Sequence, residues 1–227
     1  VIAAHLARDR RGRAGSPWIM TNMVASLDGS VTRAGRSGAL AGPGDRRVFR
    51  AVRSVPDTIL VGAATVRAEG YHPPAAPPGR DSGPRLAIVS GRLDLDPDLP
   101  CFRDAKAGER PWVLTGSDAP SDRRAALEGL AEVIDVGPGR VSAIDGLAAL
   151  AARGAEVVLC EGGPTLLGQL AEHDLIDEWL VTIAGVVVAG SGGRIAHLGH
   201  EVDQRQVLAS AITDGRDLFL AYLRDRS

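Results

Sequence analysis

From residue 18 to residue 172 the chain alternates between two kinds of segment. Short apolar or β-branched runs fall at 18–25, 58–61, 86–90, 112–115, 132–136 and 156–160. Helix-period segments fall at 44–54, 63–69, 121–130, 143–153 and 164–172. A short strand that is apolar throughout has no face for water, so it must be covered on both sides. Strand, helix, strand, helix is therefore the pattern of an α/β fold in three layers, α/β/α, around a mostly parallel sheet. The end of the chain differs. A long run at 178–188 leads into the turn Gly190-Ser191-Gly192-Gly193, and runs at 202–212 and 217–223 are joined around Thr213-Asp214-Gly215 as an antiparallel hairpin. Ser121 is expected to cap one helix, Gly154 to stop another, and Asp145 to cap it if it begins late. Residues 72–84 read as a surface loop, 1–16 as a peripheral arm with a short helix over 3–11, and 1–227 as one domain.

Composition narrows the partners. The formal net charge is −2, which argues against broad electrostatic binding to nucleic acid or membrane. Aromatics make up 4% of the chain, so Val, Leu, Ile and Ala must build the core. Cys101, in a loop-like stretch after Pro100, and Cys160, at the end of an apolar run, have no metal-ligand spacing. A buried Cys160, no disulfide and a reducing, cytoplasmic setting are expected. No apolar run is long enough to span a bilayer, and no signal-peptide pattern is present. His5, His72, His173, His197 and His200 are scattered, so no metal is expected.

Four segments carry candidate chemistry. In Glu161-Gly162-Gly163-Pro164-Thr165-Leu166-Leu167 an apolar run gives way to a helix start. The free N–H groups there suit a phosphate, and the glycines leave room for it. A tight strand-to-helix turn would need the same glycines, and spacing does not choose between the two. Gly62-Ala63-Ala64-Thr65 repeats the arrangement, with packing of the helix on the sheet as the simpler reading. Asp28, in Ser26-Leu27-Asp28-Gly29, could orient a substrate or handle a proton, although residue type alone favours stabilisation of the turn. Arg46, Arg50 and Arg53 share a helix face that could grip an acidic ligand, although for Arg46, Arg47 and Arg50 a solvated surface is the favoured reading.

Taken in order, Asn22–Gly29, the Ser37 region, Arg53 through Glu69, Glu161–Leu167 and Asp177-Glu178 resemble the C-terminal reductase domain of the bacterial riboflavin biosynthesis deaminase-reductase, from about Trp18 to Leu223. The resemblance implies a dihydrofolate-reductase-like fold and NADPH-dependent reduction of the ribosyl group of 5-amino-6-(5-phosphoribosylamino)uracil, with hydride delivered to C1′. Carried over, Val24, Ala39, Thr65, Glu69, Ser90 and Gly162 to Leu167 would contact the cofactor. Ser37, Arg53 and Glu161 would contact the substrate, and Asp28 and Glu161 would stand by the reacting carbon. The family also implies a homodimer. The zinc-binding pattern of the deaminase partner does not occur here, so a stand-alone reductase or one half of a split pathway is expected. Glu69-Gly70-Tyr71 departs from the family's Asp-Asp-Pro. The arginine expected for the substrate phosphate has no clear match, with Arg80 in the right loop but displaced. Ser90, Gly91 and Arg92 could favour the 2′-phosphate of NADPH. A same-fold reductase of another pterin or pyrimidine, dihydrofolate included, and a nucleotide-binding protein without turnover are the alternatives.

Overall fold

The computed structural model describes residues 7–10, 12 and 15–225. One sheet of nine strands runs through it, in the order β5-β4-β3-β2-β6-β1-β7-β9-β8. The strands are β1 (Trp18–Ser26), β2 (Thr58–Gly62), β3 (Arg85–Val89), β4 (Trp112–Thr115), β5 (Glu132–Asp135), β6 (Val157–Cys160), β7 (Glu178–Ala184), β8 (Gln206–Thr213) and β9 (Leu218–Arg224). From β5 to β7 every neighbouring pair is parallel, whereas β9 lies antiparallel to both β7 and β8. The helices are α1 (Pro43–Val52), α2 (Ala63–Glu69), α3 (Pro100–Arg103), α4 (Ser121–Ala126), α5 (Ala143–Ala151) and α6 (Pro164–Glu172).

Strand period and burial explain the layers. Met20, Ile59, Val61, Leu86, Ile88 and Val113 point to one face and pack with Val52 of α1, Val66 of α2 and Phe102 of α3. Their alternates Ile19, Leu60, Ala87, Leu114 and Val158 point to the other face and meet Leu147 and Leu150 of α5 and Leu167 and Leu170 of α6. The central strands thus bury both faces, as their apolar runs require. After β1 the chain skips a place to β2, runs outward to β5, and returns to insert β6 between β2 and β1. That reversal of strand order leaves a crevice at the strands' carboxyl ends.

Polar groups lock the strand starts. Asp57 accepts the N–H groups of Glu156 at 2.9 Å and Val157 at 2.8 Å, and Asp177 accepts that of Ile19 at 3.0 Å. Glu178, fully buried at the head of β7, receives Arg10 Nε at 2.8 Å and Nη2 at 3.0 Å, and Trp18 Nε1 at 3.3 Å. A buried carboxylate needs such a partner, and Arg10 reaches it from the N-terminal arm.

Several expected boundaries move. The run at 178–188 leaves the sheet after Ala184, and Leu27 N–H, Val188 N–H and Ala189 N–H tie the following segment to the turn after β1. The strand expected from 202 begins at Gln206. Ser121 does not cap α4. Pro120 holds the cap position, and the helix ends at Ala126, short of residue 130. Asp145 is no cap either; Ser142 caps α5 and accepts the Asp145 N–H at 3.4 Å. Cys101 lies in the one-turn helix α3, not a loop, and burial raises its thiol pKa to about 11. Burial likewise pushes Cys160 to about 12. The helix expected over 3–11 falls mostly outside the described residues, and its described part, 7–10, is a turn and a bend followed by irregular chain. Among the described residues no helix is long and apolar enough to cross a membrane.

Candidate active site

The carboxyl ends of β1, β2 and β6 meet at the crevice. Gly62, ending β2, donates its N–H to the Gly162 carbonyl at 2.8 Å, and Glu161 donates its N–H to Leu60 at 2.9 Å. The Gly162–Gly163 peptide is cis, and Gly162 has φ +96°. A Cβ on Gly163 would come within 2.9 Å of Thr65 Oγ1, and one on Gly62 within 3.3 Å of the Gly163 nitrogen. A side chain at 163 would have to displace the Thr65 hydroxyl and one at 62 would press on the Gly163 nitrogen, so the two strand-to-helix loops touch closely and the starts of α2 and α6 are brought side by side.

Two cavities of about 540 Å³ each open along this line and share Ala64, Thr65, Gly163 and Pro164 as a common wall. One half runs past Ser90, Arg92, Arg140, Thr165 and Leu166. In α6 the Leu167 N–H bonds the Gly163 carbonyl, so the Thr165 and Leu166 N–H groups precede the first intrahelical bond and remain for a ligand. Arg140 is braced by Gln169, whose side-chain oxygen, turned toward it, accepts Nε at 2.8 Å and Nη2 at 2.9 Å. Helix N–H groups, hydroxyls and three arginines, of which Arg67 is bonded to the Asp94 carbonyl, form a donor set suited to phosphates.

The other half is bounded by α1, by the end of α2 and by the segment 31–41. Here Arg53 grips Glu161 with two bonds, Nε to Oε1 at 2.7 Å and Nη2 to Oε2 at 2.6 Å. Tyr71 donates its hydroxyl to Glu161 Oε2 at 2.7 Å. The Arg53 guanidinium also lies 4.2 Å from the Phe49 ring centre. Burial works against the Arg53 charge, yet the bonds and field of Glu161 leave its pKa raised. Burial first, and Glu161 second, push the Tyr71 hydroxyl well above its ordinary value. Ser37 donates both its N–H, at 2.7 Å, and its hydroxyl, at 2.9 Å, to Glu69 Oε1, which fastens the segment 31–41 to the end of α2.

Residues 17–220 match the RibD C-terminal domain. The chain belongs to this family. It is 32% identical over 216 residues to the 2,5-diamino-6-ribosylamino-4(3H)-pyrimidinone 5′-phosphate reductase of Methanothermobacter thermautotrophicus, covering 91% of this chain and 97% of that one. A pyrimidine reductase-like protein of Corynebacterium diphtheriae superposes with a TM-score of 0.83 at 25% identity, over 93% of both chains. Dihydrofolate reductase of Enterococcus faecalis, 13% identical, shares the fold with a TM-score of 0.51 over 92% of this chain and 96% of that one.

The structure sorts the residues that the family resemblance singled out. Thr65, Gly163 and Pro164 form the shared wall. Ser90, Thr165 and Leu166 line the first half, and Val24, Ser37, Arg53, Glu69 and Glu161 line the second. Others lie elsewhere. Ala39 faces a separate depression beside Arg33 and Arg216, because the chain turns away after Ser37. Leu167 is fully buried in the core, and Gly162 serves through its carbonyl. Arg80 is committed to the carbonyls of Pro56 at 2.9 Å and Val55 at 3.3 Å. Asp28, expected beside the reacting carbon, lines neither half of the cleft. It accepts Ser26 Oγ at 2.5 Å, Ala189 N–H at 2.7 Å and Val188 N–H at 3.2 Å. The Ser26 bond foremost, with these backbone bonds, lowers its pKa to about 2, so it carries no proton to give near neutrality. Asp28 clips the turn after β1 to the segment after β7. Sequence reasoning missed Tyr71, Asp45, Phe49 and Arg140 as site residues. The step of four from Asp45 to Phe49 to Arg53 is the signal that was available.

The Asp28 clip has a pH signature. Its folded-state pKa is depressed, so its stabilisation is complete above the ordinary value of 3.8 and is lost as pH falls through about 2. Chemical denaturation should show Asp28→Asn less stable than the parent at pH 6, with the gap closing toward pH 2. Turnover should fall less than the ~100-fold expected for loss of a proton donor. A gap unchanged at pH 2, or a collapse of turnover in a folded variant, would contradict the clip.

Proposed function

We propose that this chain is an NADPH-dependent oxidoreductase of riboflavin biosynthesis, one reductase unit over residues 1–227, which reduces the ribosyl group of a 5-phosphoribosylamino pyrimidine to a ribityl chain. The observation that carries the reading is the divided cleft. A phosphate-binding half and an ion-paired half meet at the wall formed by Thr65 and Gly163. The cradle fits a dinucleotide, since a side chain at 163 would have to displace the Thr65 hydroxyl and the helix N–H groups beside it suit a pyrophosphate. Thr165 and Leu166 N–H would hold that pyrophosphate, and Ser90, Arg92 and Arg140 a 2′-phosphate. When bound, the reduced nicotinamide supplies hydride.

This chain's residues then have distinct tasks. Glu161 is fixed in orientation by Arg53 and Tyr71, so it can accept hydrogen bonds from substrate hydroxyls without reorganising. Phe49 offers a flat apolar face to a pyrimidine. Arg46 lines the same half, exposed, and is the cation placed for the substrate phosphate in place of Arg80. The substrate is the aminouracil implied by the family or the 2,5-diamino-pyrimidinone named for the relative in Methanothermobacter. Both present the same ribosyl C1′, so the reduction is the same. A homodimer fits the exposed Val207 and Leu208 on edge strand β8, and a cytoplasmic setting fits the two buried free thiols.

The assay follows NADPH absorbance with the two ribosylaminopyrimidine phosphates and with dihydrofolate. Oxidation is expected with at least one of the former and not with dihydrofolate; the reverse pattern, or no oxidation at all, would reject the reading. Arg92→Ala and Arg140→Ala should each raise the KM for NADPH about 10-fold, the worth of one charged hydrogen bond, and leave that for NADH unchanged. Equal effects on both cofactors would remove these arginines from the 2′-phosphate site.

A further inference from the structure

Asp45 is a buried carboxyl in the cleft that the reading above does not use. It sits in the first turn of α1, is 7% exposed, and lines the substrate half together with Phe49 and Arg53. The hydroxyl of Thr182 on β7 favours its charged form. The charged groups that act on it are Asp217, from the turn entering β9, and Arg46, its neighbour on α1. Arg46 Nη1 is itself bonded to the Ala41 carbonyl at 3.0 Å.

Reduction of a carbon–nitrogen double bond needs a proton as well as hydride, and the other acids of the cleft are occupied. Both oxygens of Glu161 are taken by Arg53, and one also by Tyr71. The Tyr71 proton is directed at Glu161. Glu69 Oε1 holds the N–H and hydroxyl of Ser37. Asp28 lies outside the cleft and stays ionised. His72 is at the mouth, its side chain 68% exposed and 3.5 Å from Asp104.

We propose that Asp45 is the proton donor of the reduction, delivering its proton to the nitrogen attached to C1′ as hydride reaches that carbon. The inference rests on the reductase reading above. In the open-chain imine C1′ is doubly bonded to nitrogen. Hydride from the reduced nicotinamide forms the new C1′–H bond, and the π pair of the double bond withdraws to nitrogen. That nitrogen forms an N–H bond with the Asp45 proton, and the O–H bond breaks. The carboxylate left behind recovers a proton from water. The environment favours the protonated acid: burial chiefly, with Asp217 adding, raises the Asp45 pKa, while Thr182 and Arg46 pull the other way.

Two measurements test this. In the substrate-free protein labelled with ¹³C-aspartate, one carboxyl should titrate above the ordinary aspartate range and be missing from Asp45→Asn. In turnover, the acid must be protonated, so kcat should fall as pH rises through the Asp45 pKa. Asp45→Asn should lose ~100-fold or more in kcat with little change in the KM for NADPH, and Asp45→Glu should recover part of it. Thr182→Val removes a bond that favours the carboxylate and should move the alkaline limb to higher pH. Asp217→Asn removes a repelling charge and should move it to lower pH. These two carry the test if Asp45→Asn does not fold. Near-normal kcat in Asp45→Asn, a limb that neither variant moves, or a limb lost instead in His72→Gln overturns the proposal. If the parent protein turns over but its Asp45 titrates in the ordinary range, the proposal alone fails. If the parent oxidises NADPH with neither pyrimidine, the functional reading fails with it.

Discussion

The pairing of Glu161 with Arg53 organises the functional end of this molecule. Glu161 follows β6 at the centre of the sheet, Arg53 closes α1, and Tyr71 follows α2. One carboxylate, its side chain 2% exposed, therefore joins three elements across 108 and 90 residues of chain. Leaving such a carboxylate unpaired costs on the order of 3–5 kcal/mol, so each partner is held as firmly as it holds Glu161. With α1 fixed in this way, Phe49 and Asp45 fall one and two turns back along the same wall. With Glu161 fixed, the following glycines lie against Thr65 and α6 begins beside α2. The phosphate half and the substrate half share that single anchor.

The layers were legible because their cause is local. Alternating apolar runs and helix-period segments are forced by a sheet that is buried on both faces. Every expected strand from β1 to β9 is present, with its centre where the apolar run lies. The ends were harder. A run such as 178–188 is apolar beyond Ala184, but pairing stops there because Asp28, 160 residues away in sequence, captures the Val188 N–H. Ser121 has the residue type of a cap, yet Pro120 takes the position and Ser121 becomes the first helical residue.

The site was legible in its glycines and in the family's ordered motifs, and less so in its acids and aromatics. Asp28 carries the strongest turn signature of any acid considered, and the structure spends it on that turn. Tyr71 stood out only as a departure from a family motif, because its partner lies 90 residues away and nothing local announces the contact. Asp45 was hidden in a run of charges whose bland reading is a wet helix face. That reading concerned Arg46, Arg47 and Arg50, all three of which are exposed, whereas Asp45 beside them is buried. A charge run on a helix has to be divided by its period before it is dismissed.

The central claim is that the two halves of the cleft bring a nicotinamide against the sugar carbon of a ribosylaminopyrimidine. Isotope transfer tests it directly. NADPH carrying deuterium at one face of C4 is supplied with the pyrimidine phosphate, and the product is read by NMR. The account requires one deuterium on C1′ from one face of the nicotinamide and none from the other. Deuterium in the pyrimidine ring, or in neither part of the product, would contradict it.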